Sequence, residues 1–289
     1  VILCIVGCTV ITIISGLIVL GGFSIALMIP LLFICRFLLG AFQGPLFPAM
    51  CGGVITRWFP SGSWALPNGM TSTALALGSA STPPIIVYLA EYFGWQSTFF
   101  LISILGVIGS MIWWKYSTNW PNEHPDINQS ELELIGETDF NNNEMTWPMI
   151  KEVLSNKNIL FAALGYMSMN YVFFIFYSWI FIYFVNIRGF DVLEGSILAS
   201  LPFLMGAIGA TYGGYLCDRL QKRYGIIWGH RIPIIIGLIP SAGFLLFGSI
   251  TEHPYLAVLS LSLCYGFIEL TEGPFWSTIG FISDKPQAA

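Results

Sequence analysis

Polar and apolar positions along this 289-residue chain separate into long apolar runs joined by short polar connections. Eight runs stand out, at about 2–18, 25–52, 64–90, 96–116, 158–185, 193–217, 232–250 and 254–281. Each approaches or exceeds the roughly 20 apolar residues that carry an α-helix across a hydrocarbon core of about 30 Å. The pattern predicts an all-α integral membrane protein with eight transmembrane helices. One long hydrophilic stretch, about 117–157, parts four runs from four. Its middle predicts a short surface helix starting near Ser130, with Glu133 at capping-box spacing, and a second segment from Pro148 to Leu154 leads into the next run. The expected organisation is an N-terminal bundle at 1–116, a cytoplasmic linker at 117–157 and a C-terminal bundle at 158–289. A start at Val1 on the edge of an apolar run, and an end at "DKPQAA", are read as those of a fragment cut at both ends.

Composition agrees with the pattern. Hydrophobic residues make up 55% of the chain and charged residues 9%, with a mean hydropathy of +0.74, against about 25% charged residues in soluble domains. With the first end placed inside, Arg57, Lys115, Lys151, Lys157, Arg219, Lys222, Arg223, Arg231 and Lys285 fall on the cytoplasmic side, Arg188 falls outside and Arg36 lies within a span. That bias is the positive-inside rule, and it supports both the span count and its parity. The net charge of -5 is spread over short loops, so no basic patch exists to hold nucleic acid. Six cysteines without metal-like pairing and three histidines, His124, His230 and His253, in three different loops leave no ligand box, so neither metal nor cofactor is expected. An enzyme would need a nucleophile, a metal box or paired catalytic carboxylates, and only Glu269 with Glu272 suggests one; no enzymatic activity is expected.

The chain also repeats itself. A shift of 229 residues places Gln43-Gly44-Pro45-Leu46-Phe47 on Glu272-Gly273-Pro274-Phe275-Trp276, and it aligns the span at Val1 with the one near Ile232 in the same orientation. Two bundles repeated in parallel are a transporter architecture, with the solute near the bilayer midplane between them.

Between two predicted spans stands "GGYLCDRLQKRYG", which carries Gly214, Asp218, Arg219, Lys222 and Arg223. It resembles the G-x-x-x-D-R-x-x-[RK]-R loop of the major facilitator superfamily, in which a helix-capping carboxylate and basic residues latch the cytoplasmic ends of neighbouring helices. In a twelve-span member, the present eight would be the third to the tenth, in two pseudo-symmetric bundles. "CRFLLGAFQGPLFPA", "RWFP", "GWQSTFF", "HPDINQSELELI", "NYVFFIFYSWIFIYF", "LPFLMGAIG" and "TEGPFW" together are similar to the anion:cation symporter family, which includes carriers of sugar acids, phosphate, sialate and vesicular glutamate. The resemblance implies a buried Arg in the fourth span that engages an anionic solute; the residue at that place is Arg36. Independently, a guanidinium at bilayer depth costs about 2.5–3.5 kcal/mol on insertion scales, and it offers a planar fork to a carboxylate or phosphate.

Many members carry a proton-coupling Glu seven residues after that Arg. Here the position is Gln43, an amide that cannot take up and release a proton. Its repeat partner Glu272 is acidic, and Glu269 lies three residues earlier on the same helix face; these two are the candidates for proton coupling. The seventh span adds a polar-aromatic stripe of Asn170, Phe174, Tyr177 and Ser178, with Tyr171 beside it. Asn170, Tyr171 and Tyr177, with Arg36 and Gln43, are the candidate solute-binding residues. The fifth span lacks the G-x-x-x-G-P-x-x-G-G pattern of drug antiporters in the superfamily.

The expectation is a secondary active transporter of small organic anions, a monomer in a lipid bilayer, coupled to protons and working by alternating access, with a bacterial inner membrane favoured by its short loops. A facilitative uniporter or anion exchanger is the alternative within transport, motivated by Gln43. A multispan receptor or channel fits hydropathy alone, but not the repeat and the Asp-Arg motif.

Overall fold

The computed structural model describes residues 1–135 and 147–282; the stretch 136–146 of the expected linker and Lys285 lie outside them. Among the described residues all regular structure is helical. By packing, the chain forms two compact units, Val1–Val54 with Ile85–Leu132, and Ile55–Pro84 with Glu133–Ala289. The second unit thus takes in residues 55–84, which the sequence reading assigned to the N-terminal bundle.

The first unit contains α1 (Ile2–Leu20), α2 (Ile25–Gln43) and α4 (Ser97–Tyr116), and the end of α3 (Ala65–Phe93). Thr9, Thr12 and Ser15 of α1 each donate to a carbonyl four residues back at 2.8 Å, which satisfies a hydroxyl without leaving the helix. Gly106 of α4 receives Thr9 so closely that a Cβ there would collide with the hydroxyl. On α2 the large side chains point outward, with Phe33 and Phe37 each 73% exposed. A surface of this kind is stable against lipid rather than water. After Gln43 the helix breaks at Gly44–Pro45 and continues as a π-helical stretch, Ala49–Ile55. Pro45 and Pro48 remove hydrogen-bond donors there, and the ladder is remade in a wider turn.

The second unit holds the first part of α3 together with α7 (Lys157–Ile182), α8 (Val192–Ile250), α9 (Pro254–Glu269) and α10 (Glu272–Ile282). Its core is aromatic: Tyr265, 1% exposed, meets Phe173, Phe176 and Phe203 at ring distances of 5.8, 5.3 and 5.1 Å. Among the described residues, seven helices are long and apolar enough to cross a membrane, against the eight expected. The difference is α8, whose helical hydrogen bonding runs on through a kink at Gly225, φ 80° and ψ 170°. Its two arms correspond to the expected spans 193–217 and 232–250, and glycine supplies a backbone state there that other residues rarely adopt. The motif carrying Asp218 is therefore helix up to the kink rather than loop. His230 likewise lies in no loop; it is buried on the second arm.

One further correction concerns the connections. The surface helix α5 (Gln129–Ile135) is capped by Asn128 and Glu131, not by Ser130 and Glu133. Asn128 Oδ1 accepts from the Glu131 N–H at 2.9 Å and Glu131 Oε2 accepts from the Asn128 N–H at 3.2 Å. An Asn side chain serves as well as Ser in this reciprocal cap and stands two residues nearer the preceding turn. The segment expected from Pro148 to Leu154 is α6 (Trp147–Ser155). Beyond α7 a π-helical turn, Tyr183–Ile187, leads to Arg188. The Arg188 guanidinium donates to Tyr183 Oη at 2.8 Å, to the Thr251 carbonyl at 2.7 Å and to the Gly248 carbonyl at 3.0 Å, and so fastens the end of α7 to the end of α8.

Candidate functional site

The regular hydrogen bonding of the last span, Pro254–Ile279, is interrupted where its two carboxylates stand. α9 ends at Glu269 and α10 begins at Glu272, with Leu270 and Thr271 between them. The sequence explains the break: Pro274 has no N–H and would strike the carbonyl of Leu270 in a continuous helix, but it is at home in a first turn. Thr271 Oγ1 turns back to the Ile268 carbonyl at 2.7 Å. Leu270 keeps helical φ and ψ, so both carboxylates stand on one span, Glu269 ending its first segment and Glu272 opening the second.

Glu272 is 8% exposed and Glu269 2%. The Glu272 Oε1 accepts from the hydroxyl of Tyr166 on α7 at 2.8 Å and from Trp276 Nε1 at 3.1 Å, and Trp276 Nε1 also reaches Tyr166 Oη at 3.0 Å. Ring contacts of 5.6 Å to Phe275 and 5.7 Å to Trp276 hold Tyr166 in place. Glu269 Oε1 is buried and has no hydrogen-bond partner among the described residues.

Asn170 lies one turn beyond Tyr166 and donates its amide to the Tyr166 carbonyl at 3.2 Å. Two turns further, Tyr177 stacks on Phe173 with centroids 6.0 Å apart and lines a cavity of about 490 Å³. Ser79 and Thr82 of α3, Phe181 of α7 and Phe203 of α8 complete much of its wall. The two hydroxyls donate to carbonyls of their own helix, at 2.9 and 2.7 Å, and keep lone pairs able to accept. Tyr171 is 73% exposed and is not among the residues lining this cavity.

Asp218 joins α8 to α3. Its carboxylate accepts from the N–H groups of Ala65 at 3.2 Å and Leu66 at 3.0 Å, the orphan donors of the first turn of α3. The contact continues along both helices: Thr73 Oγ1 meets Thr211 Oγ1 at 2.6 Å, and Ser200 donates to the Ala80 carbonyl at 2.5 Å. The seam needs small residues, since a Cβ on Gly214 would collide with the Ala65 carbonyl and one on Gly69 with the Ala210 carbonyl. Arg219, Lys222 and Arg223 are exposed beyond it, with Arg219 donating to Tyr215 Oη at 2.8 Å.

Arg36 and Gln43 lie two turns apart on α2 in the first unit, both exposed, so Arg36 is not buried as the resemblance implies. Arg36 carries the single charge of Ile25–Gln43.

Sequence reasoning missed Tyr166 and gave Trp276 no role. Tyr166 stands four residues before Asn170, so extending the polar stripe by one turn finds it; Trp276 is four residues after Glu272 and within helical reach. His230 was also missed: its Nε2 pairs with Ser277 Oγ at 2.5 Å and its Nδ1 with the Ile226 carbonyl at 2.7 Å. Nothing in its local sequence marks it as buried.

Comparison with known proteins places these features in a family. A probable galactarate/D-glucarate transporter of Bacillus subtilis (strain 168) is 31% identical over 257 residues, covering 85% of this chain and 56% of that protein. A hexuronate transporter of the same organism is 28% identical over 268 residues, 92% of this chain and 62% of that protein. A chloroplastic ascorbate transporter of Arabidopsis thaliana is 26% identical over 250 residues, 86% of this chain and 46% of that protein. The chain spans roughly half to three-fifths of the length of these relatives. The Major Facilitator Superfamily model matches residues 3–286, and the chain, a multi-pass integral membrane protein, belongs to that superfamily.

Proposed function

We propose that the protein carrying this chain is a proton-coupled symporter of small organic anions, with sugar acids as the solute class, in a bacterial inner membrane. The observation that carries the solute class is the 31% identity to a protein named for galactarate and D-glucarate transport, in a chain whose α2 holds a lone Arg36. A guanidinium fork binds a carboxylate bidentately, and the planar pair is strongest where water is scarce. Arg36 serves as the anion anchor of the first unit; within the second, the cavity beside Tyr177, with Ser79 and Thr82, offers groups suited to hydroxyls. Asn170 acts through Tyr166 by holding its backbone, and Gln43 offers an amide two turns from the anchor. The buried carboxylates Glu269 and Glu272 form the proton site. Asp218 latches α3 to α8, with Gly214 permitting the approach and the basic residues Arg219, Lys222 and Arg223 flanking it. The carrier acts as a monomer.

Gln43 favours a second reading, a facilitative uniporter or anion exchanger, because an amide replaces the acid there. Uptake of labelled galactarate into liposomes holding the full-length protein, competed by a panel of sugar acids, tests the solute class. Arg36→Ala abolishes this uptake and Arg36→Lys fails to restore it; uptake that survives Arg36→Ala overturns the anchor.

A further inference from the structure

We propose that Glu269 is the carboxyl that takes up and releases the proton, while Glu272 is a fixed, charged neighbour that sets when it does so. This rests on the reading above that the protein is proton-coupled, and deepens it by dividing the roles.

Helix polarity gives the first argument. Glu269 is the last residue of α9, among carbonyls whose partial negative charge opposes an anion; Glu272 is the first residue of α10, where unpaired N–H groups favour one. Hydrogen bonding gives an independent second. Glu272 Oε1 accepts from Tyr166 and Trp276, two donors that suit a carboxylate, whereas Glu269 has the Tyr265 hydroxyl alone and its Oε1 is buried with no partner among the described residues. An ionised oxygen left so is far costlier than the carbonyl oxygen of a neutral acid.

Among the described residues the surroundings supply no counter-charge. Tyr265 lies on Glu269's own helix, Glu272 on α10, and Tyr166 and Tyr177 on α7. From α8 comes Gly206, whose missing side chain makes room for Glu269 Cγ and the Tyr265 ring. Two like charges less than a full helical turn apart in sequence, in so dry a place, are satisfied by one proton between them. The break at Leu270–Thr271 is where α10 can tilt against α9 and change their separation. Uptake converts the Glu269 carboxylate and a water-borne proton into the acid, release reverses it, and no electrons move.

The test labels the full-length protein with dicyclohexylcarbodiimide, which reacts with protonated carboxyls in apolar surroundings: the acid proton moves to a carbodiimide nitrogen as the carboxyl oxygen bonds to the central carbon. Peptide mass spectrometry should find Glu269 modified, less so as pH rises, and Glu272 unmodified. Modification of Glu272 instead, or labelling of Glu269 that does not respond to pH, overturns the assignment. In liposomes, the ratio of inside to outside galactarate under an inward proton gradient falls to one for Glu269→Gln while counterflow persists. A ratio that stays above one in Glu269→Gln overturns the assignment. A wild-type protein that exchanges galactarate but never concentrates it overturns the coupled reading itself, an outcome distinct from the others.

Discussion

Asp218, at the end of the first arm of α8, caps the N-terminus of α3 by accepting from the N–H of Leu66 at 3.0 Å, across 152 residues of sequence. A side chain here does for α3 what a local N-cap usually does, and the basic residue Lys222 stands one turn beyond it. Removing the charge while keeping the shape isolates this contact. Asp218→Asn should destabilise the second unit by about 1–2 kcal/mol, the range of a lost cap. The neighbouring Cys217, fully buried and unpaired in disulfide, reports the change. Its alkylation by a membrane-permeant maleimide should be several-fold faster in the variant; an unchanged rate would mean that the cap does not hold the seam.

Gly214 is one of the places where α8 and α3 come close. Gly214→Val pushes a branched side chain into the Ala65 carbonyl and the Leu66 backbone, an overpacking that costs about 1–3 kcal/mol. Thermal unfolding of the detergent-solubilised full-length protein should shift down accordingly, whereas Gly243→Val, at a glycine with open space around it, should shift little.

How much of this was legible beforehand depends on what each residue responds to. Apolar runs respond to the bilayer, so the helical spans could be read from hydropathy, except that two of them join in α8. Asp218 was legible because its spacing to Arg219, Lys222 and Arg223 is a local pattern. The break between Glu269 and Glu272 left a signal in Pro274, but hydropathy runs straight through it and a single helix was expected. Tyr166 was missed because its role comes from α10, more than a hundred residues later in sequence, and one-dimensional periodicity does not see such contacts. His230 went unread for the same reason, its partner Ser277 lying 47 positions away.

Tyr166, Trp276 and Glu272 form a triangle in which each member touches the other two. Tyr166→Phe and Trp276→Phe should therefore be non-additive. A double-mutant cycle on unfolding stability should give a coupling of about 0.5–3 kcal/mol. Additive effects would show that the two donors serve Glu272 separately.

Arg188 makes three hydrogen bonds with one guanidinium and also lies 5.2 Å from the centre of the Tyr183 ring. An ammonium group keeps the charge but not the fork. Arg188→Lys should lower the thermal midpoint nearly as far as Arg188→Ala, by the equivalent of about 1–3 kcal/mol; recovery by Lys would show that charge alone fastens α7 to α8.

The decisive experiment is uptake of labelled galactarate by the full-length protein in liposomes, measured with and without an inward proton gradient. Proton-coupled symport requires accumulation above the outside concentration under the gradient, abolished by a protonophore. Counterflow with no response to the gradient would contradict it and leave a facilitative anion carrier, with Gln43 in the place of the missing acid.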